Sequence, residues 1–389
     1  MPANLPAEAR AKWIKVMEAK TPEEKIRALE EFLAAVPKHK GTANLRLWAT
    51  RRLAELREEI EERRRKKIGR GISFFVEKEG AAQAVIVGPP NTGKSLLVKT
   101  LTGARTRIAD YPMSTRFPVP GMLQYKDIYF QLVDTPPIMS NGGPWNNRVI
   151  GLVRNADAVI IVLDVTRDPV KDYLELRRMF EESGILLYKP RGRVVIEKER
   201  LGKTGIRVTL MGRLLDGTID DVRKLLEEYR IYSAHVKIYG EVSLDDVEQA
   251  IFESRVYKPS IIIINKADIN LARAREAAYR LHEITPSTPI IIGSAKLGKG
   301  FEDLGKILFK LLDLIRVYTK QPNGPVADKP LVLPRGSTVY DVARLIHKSF
   351  VKNFKYAKIW GPSAKYPGER TGLEHILEDG DIVEIHVKG

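Results

Sequence analysis

Gly88-Pro89-Pro90-Asn91-Thr92-Gly93-Lys94-Ser95 decides the reading of this chain. Two glycines, a lysine and a hydroxyl residue stand at the spacing Gly-x-x-x-x-Gly-Lys-Ser, after a strand-like run and before a helix-like one. Such a loop cradles phosphate because its backbone N–H groups converge at the positive end of a helix. Lys94 would neutralise the β- and γ-phosphate oxygens, and the Ser95 hydroxyl would hold Mg²⁺. All eight residues from Gly88 to Ser95 are therefore candidates for nucleotide contact.

Outward from this loop, short apolar runs alternate with helical segments: Ala84 to Val87, Ile128 to Val133, Ala158 to Leu163, Ser260 to Ile264 and Pro289 to Ile292. That alternation predicts an α/β fold, a mostly parallel sheet with helices on both faces. The phosphate loop alone does not choose between adenine and guanine. Asn265-Lys266-Ala267-Asp268, at the end of a predicted strand, does. The Asp268 carboxylate can accept from N1–H and the 2-amino group of guanine, a donor pair that adenine lacks. Asn265 can read the O6 side, and Lys266 can pack over the base. Ser294-Ala295-Lys296 follows the next strand, where its backbone can close over O6. Asp134 ends the strand before it and fits an aspartate that holds Mg²⁺ through water. Thr115 lies in the intervening loop, where a threonine can coordinate Mg²⁺ when a γ-phosphate is present; it is equally an ordinary loop residue. The candidate metal ligands are thus Ser95, Thr115 and Asp134.

The chain has 389 residues, 43% hydrophobic, with no cysteine, which excludes disulfides, thiolate zinc sites and cysteine nucleophiles. No apolar run approaches the roughly 20 residues of a membrane span, and the N-terminus is charged from Glu8 and Arg10 onward. A cytoplasmic protein without a membrane partner is expected. The net charge of +16 suits a phosphate-rich partner, RNA rather than DNA, although a solvated basic surface also accounts for it. The RNA contacts expected are Arg63 to Lys67, the basic stretch Lys189 to Arg207, and Lys352 and Lys355.

Residues 1–70 read as a helical region; Thr21-Pro22-Glu23-Glu24 is a helix start with cap, first-turn proline and capping-box glutamate. A second helix is expected from about Ala43 to Lys67. Residues 71–168 and 256–320 form the nucleotide domain. The distance between its third and fourth core strands implies an inserted α+β subdomain at 169–255, with Ile185 to Arg213 as a hairpin and helices at Ile219 to Tyr229 and Leu244 to Glu253. A linker with Pro322, Asn323, Gly324 and Pro325 leads to a small domain at 329–389.

With these motifs in order, the chain resembles the developmentally regulated GTP-binding protein branch of the Obg-related GTPases. Tyr111-Pro112-Met113-Ser114-Thr115 resembles the switch-one sequence of that group, and Pro37-Lys38-His39-Lys40-Gly41-Thr42 its helical region. Residues 329–389, with Phe354 to Gly361 and His375 to Asp379, resemble a TGS domain, a small β-grasp-like module. The resemblance implies GTP hydrolysis, association with ribosomes or rRNA, and a small regulatory protein partner. It names Lys94, Thr115 and Asn91 as candidate catalytic residues, Asn91 through K⁺, which can supply the charge of an arginine finger. Asn91 is equally a turn residue in left-handed geometry.

Two positions carry their own expectations. Ile138 stands where Ras-like enzymes place a water-orienting glutamine. Pro137 replaces the glycine of Asp-x-x-Gly, whose N–H donates to the γ-phosphate; proline has none. Weak discrimination between GTP and GDP, and slow hydrolysis by the protein alone, are therefore expected. The alternative is a nucleotide-holding RNA scaffold with negligible turnover, and a third reading, from the TGS resemblance alone, is a tRNA-binding regulator.

Overall fold

The computed structural model describes residues 6–19, 21–37, 74–103, 117–139, 142–198, 205–229, 231–251, 256–322 and 324–387, with scattered positions between 45 and 60. Its strands are β1 (Ala82–Val87), β2 (Val119–Tyr125), β3 (Ile128–Asp134), β4 (Ala158–Asp164), β5 (Ile185–Leu186), β6 (Gly192–Lys198), β7 (Ile206–Leu214) and β8 (Ala234–Val242). They continue with β9 (Val256–Tyr257), β10 (Ser260–Asn265), β11 (Ile290–Ile292), β12 (Leu314–Lys320), β13 (Leu331–Pro334), β14 (Phe354–Trp360), β15 (Glu369–Thr371) and β16 (Asp381–Val387).

Six strands form the central sheet in the order β11-β10-β4-β1-β3-β2. All pairs are parallel except β2 with β3. β4 and β10 are buried along their whole length, which is why they read as unbroken apolar runs rather than alternating ones. One face of the sheet packs on helices Asn146–Asn155, Pro169–Glu182 and Leu271–Ile284 through Val153, Tyr173, Phe180 and Leu281. The other packs on Lys94–Thr102 and Leu304–Leu311 through Leu97, Leu304 and Leu308. The chain leaves β1 between β3 and β4, so the order reverses there, and the ends of β1, β3, β4 and β10 open onto one crevice.

The insertion differs from expectation. β6 and β7 are not the arms of a hairpin: β8 lies between them, antiparallel to β6 and parallel to β7. β8 takes the centre because Ala234, Val236 and Ile238 give it a fully buried inner face, whereas the inner residues of β6 are only half-buried. Beneath this sheet the N-terminal helices Ala7–Glu18 and Pro22–Ala35 share one core with the insertion. Trp13, Leu29 and Phe32 join Val222, Leu226, Val236 and Ile238, with Trp13 and Phe32 rings 5.3 Å apart. The Thr21–Glu24 capping box is formed as the sequence implies. The expected helix from Ala43 to Lys67 is described only at scattered positions, and its cations Arg63 to Lys67 lie outside the described residues.

The C-terminal sheet runs β13-β12-β16-β14-β15, covered on one face by helix Val339–Ile346. β12 lies in the stretch expected to close the nucleotide domain, yet it hydrogen-bonds between β13 and β16. Its alternating buried Ile315 and Val317 match the inner face of this small sheet.

Candidate nucleotide site

The loop after β1 turns through left-handed backbone at Asn91 (φ 64°) and Gly93 (φ 88°). Gly93 tolerates no side chain: a Cβ there would lie 2.5 Å from Asn265 Nδ2. Thr92 Oγ1 donates to the Pro89 carbonyl at 3.1 Å, closing the loop on itself. The buried Lys94 Nζ donates to the carbonyls of Gly88 (3.1 Å) and Pro89 (2.9 Å). Burial pushes its ammonium down to about 8, against the opposing pull of the Asp134 charge. Ser95 Oγ donates to Asp134 Oδ2 at 2.5 Å, so a helix start and the end of β3 place a hydroxyl and a carboxylate side by side.

On the other side of the crevice Asn265, the last residue of β10, joins two loops. Its Nδ2 donates to the Thr92 carbonyl at 2.8 Å, and its Oδ1 accepts from the Ala295 N–H at 2.9 Å. Lys266 Nζ donates to the Asn91 carbonyl at 2.7 Å and to Asp164 Oδ2 at 2.6 Å. Asp164 also accepts from Thr166 N–H and Oγ1. Burial pushes the Asp164 carboxyl up, but the bonds from Lys266 and Thr166 outweigh it and hold it below the ordinary carboxylate range. Ser294 and Ala295 are buried, and Thr100 Oγ1 donates to the Ala295 carbonyl at 3.0 Å. Asp268 and Lys296 stand exposed at the rim.

Hydrogen bonds therefore join the phosphate loop to Asn265 and Lys266, Asn265 to Ala295, and Ser95 to Asp134; Asp268 and Lys296 are exposed next to them along the chain, and Thr115 lies outside the described residues. Asp164 escaped the sequence reading. Its only signal is position: it ends β4 and stands in register with Asn265. The Ile138 side chain is 1% exposed and belongs to the core beside Val133 and Val149, so it cannot orient a water molecule. Asn91 adopts the left-handed turn geometry, which accounts for an asparagine there through its backbone alone.

No group of three or more His, Cys, Asp or Glu side chains suited to a metal occurs among the described residues. One hydroxyl and one carboxylate, Ser95 and Asp134, fit Mg²⁺, which keeps waters and takes phosphate oxygens as further ligands.

Comparison with known proteins agrees with this geometry. Residues 83–195 match the family described as 50S ribosome-binding GTPase, residues 203–314 the C-terminal region of that domain, and residues 315–387 the TGS domain. The chain is 36% identical to an uncharacterised GTP-binding protein of Methanocaldococcus jannaschii, over 94% of this chain and 93% of that protein. It is 33% identical to developmentally-regulated GTP-binding protein 1 of Xenopus laevis and to ribosome-interacting GTPase 1 of Saccharomyces cerevisiae, each over 93% of this chain and 98% of the relative. The chain belongs to the developmentally regulated GTP-binding protein family. It is a GTP-binding protein with a P-loop GTPase domain and a C-terminal TGS domain, and no helix among the described residues is long and apolar enough to cross a membrane. Among solved structures, a GTP-binding protein of Pyrococcus horikoshii matches at 16% identity and a TM-score of 0.43, over 79% of this chain and all of that one.

Proposed function

We propose that this member of the family hydrolyses GTP slowly when alone and acts on the ribosome, in translation or subunit maturation. The observation that carries the site is the pair of hydrogen bonds at the Asn265 carboxamide, donated to the Thr92 carbonyl and accepted from the Ala295 N–H, which ties the phosphate loop to both guanine-side loops. In this reading Lys94 neutralises the β- and γ-phosphates, Asp268 selects guanine, and Ser95, Asp134 and Thr115 hold Mg²⁺. The metal supplies charge neutralisation on the phosphates. In the same reading Asn91 would take part in binding K⁺.

The RNA side of the reading rests on charge and on the printed name of the yeast relative, a ribosome-interacting GTPase. Lys189, Arg191, Arg193, Arg207, Lys352 and Lys355 are exposed, while Arg200 and Lys203 lie outside the described residues. Across the C-terminal sheet, Lys320, Glu384, Lys358 and Arg370 stand opposite one another in register. Lys320 lies over the Trp360 ring (4.8 Å) and Arg370 over Tyr356 (4.7 Å). Cations and flat rings on one sheet face suit phosphate contact and base stacking. The buried Ile138 favours the second reading, a scaffold with negligible turnover. In the first reading a small protein partner, or the ribosome itself, supplies the water-positioning group.

Sedimentation with ribosomes, with GTP turnover followed in parallel in K⁺ and Na⁺, tests this. Association should fall by orders of magnitude between about 50 and 200 mM salt. Turnover should rise on the ribosome. Salt-independent association removes the RNA reading, and turnover indifferent to ribosomes and K⁺ leaves the scaffold.

A further inference from the structure

We propose that the backbone N–H of Ile138 is the donor that reads the γ-phosphate, in place of the N–H that Pro137 lacks. The inference rests on the nucleotide reading above and identifies the atom that distinguishes GTP from GDP at that site. Ile138 N–H donates to the Gly88 carbonyl at 3.2 Å. The same carbonyl accepts from Lys94 Nζ at 3.1 Å. Two donors thus converge on one oxygen at the mouth of the phosphate loop, and one of them is the ammonium that this loop type aims at the β- and γ-phosphates.

The segment around Ile138 is held from several sides. Upstream, Thr135 Oγ1 donates to the Ile86 carbonyl at 2.7 Å. Pro136 and Pro137 fix two consecutive φ angles near −65°. The Ile138 side chain is locked in the core. Downstream, the carboxamide of the buried Asn146 straps Met139: its Oδ1 accepts from Met139 N–H at 3.2 Å, and its Nδ2 donates to the Met139 carbonyl at 2.7 Å. An N–H so held makes a long bond to a neutral carbonyl. A phosphate oxygen is the stronger acceptor, because charge-assisted bonds are shorter and about twice as strong. GTP brings such an oxygen beside Lys94; GDP lacks it, and Ile138 N–H stays on Gly88. Proline at 137 then removes one donor and presets its neighbour, so the weak GTP–GDP discrimination expected from the sequence gives way to a clear preference for GTP.

The test replaces the Ile138 amide by an ester in the full chain, incorporating the α-hydroxy acid of isoleucine, and measures GDP and a non-hydrolysable GTP analogue. The preference for the analogue over GDP should drop roughly 10- to 100-fold while GDP affinity holds. An unchanged ratio overturns the proposal. Equal loss of both nucleotides overturns it too, since the amide would then hold the loop without reading the phosphate. In the unsubstituted protein labelled with ¹⁵N-isoleucine, the Ile138 amide resonance should move with the analogue and stay put with GDP; the same position in both complexes overturns the proposal independently of any variant. Failure of the unsubstituted protein to prefer guanine over adenine nucleotides would instead remove the nucleotide reading itself.

Discussion

The nucleotide end of the central sheet and the body shared by the N-terminal helices and the insertion are held together by different forces. At the sheet end, loops from β1, β3, β4, β10 and β11 meet atom to atom: Asn265 with Thr92 and Ala295, Lys266 with Asn91 and Asp164, Ser95 with Asp134. In the second body the contact is broad and apolar, Trp13, Leu29 and Phe32 against Val222, Leu226, Val236 and Ile238. A polar bond needs one donor at one place, so it leaves a motif. Apolar burial needs only volume and periodicity, so it leaves a pattern that does not say which partner the face will meet.

The largest expected effect breaks the second body alone. Phe32 is fully buried, and Phe32→Ala should destabilise it by about 3–5 kcal/mol through lost burial and the cavity left behind. Denaturant unfolding should register the loss while GTP affinity stays constant. A parallel fall in affinity would show the two regions to be one cooperative unit and end the comparison.

The converse change is somewhat smaller. Asp268→Asn at the exposed rim should remove about 2–4 kcal/mol of GTP affinity, because two guanine donors lose their charged acceptor. Unfolding should be unaffected. Unchanged competition between GTP and ATP in this variant would take away the assignment of Asp268 to the base.

The smallest effect concerns pH. With the Lys94 ammonium pushed down to about 8 in the folded protein, from 10.5 as the ordinary value, the free site loses a proton above that point. Nucleotide phosphates restore it, so binding above pH 8 takes up a proton and affinity falls with rising pH, at most about tenfold per unit. Below pH 8 the ammonium is present in both states and the Lys94 contribution to affinity is level. Stability of the free protein moves the other way. Below about 8 the buried ammonium costs stability; between about 8 and 10.5 the unfolded chain binds more protons than the folded one, so that cost is relieved as pH rises. Calorimetry near pH 9 in two buffers of different ionisation heat reads the proton uptake directly; equal apparent enthalpies would place Lys94 outside the site's proton balance.

Much of the fold was legible because its elements carry local signals. The apolar runs at β1, β3, β4, β10 and β11 announce a sheet buried on both faces, and Gly88 to Ser95 announces the turn at its open end. β8 was not legible: its alternation of Ala234, Val236 and Ile238 with His235 and Lys237 is short, and nothing in it names β6 and β7 as its two neighbours. Asp164 was not legible either, since an aspartate ending a strand is common and only the register with Asn265 puts it within reach of Lys266.

The seam between the central domain and the C-terminal sheet shows the same limit. Arg316 donates to Asp127 at 2.8 Å and through two nitrogens to Asp379, both at 3.0 Å, across 189 and 63 residues of chain. Those carboxylates, with burial opposing them, hold the guanidinium above its ordinary range. No spacing in the sequence joins these residues.

The sequence by itself determined the phosphate loop, the guanine-side motifs and the parallel sheet that carries them, because each depends on residues close together in the chain. The tertiary structure alone decided which helices share the second core, which domain owns β12, and which N–H stands over Gly88 once Pro137 has none. Those outcomes depend on which distant surfaces bury one another, and burial is blind to order along the chain.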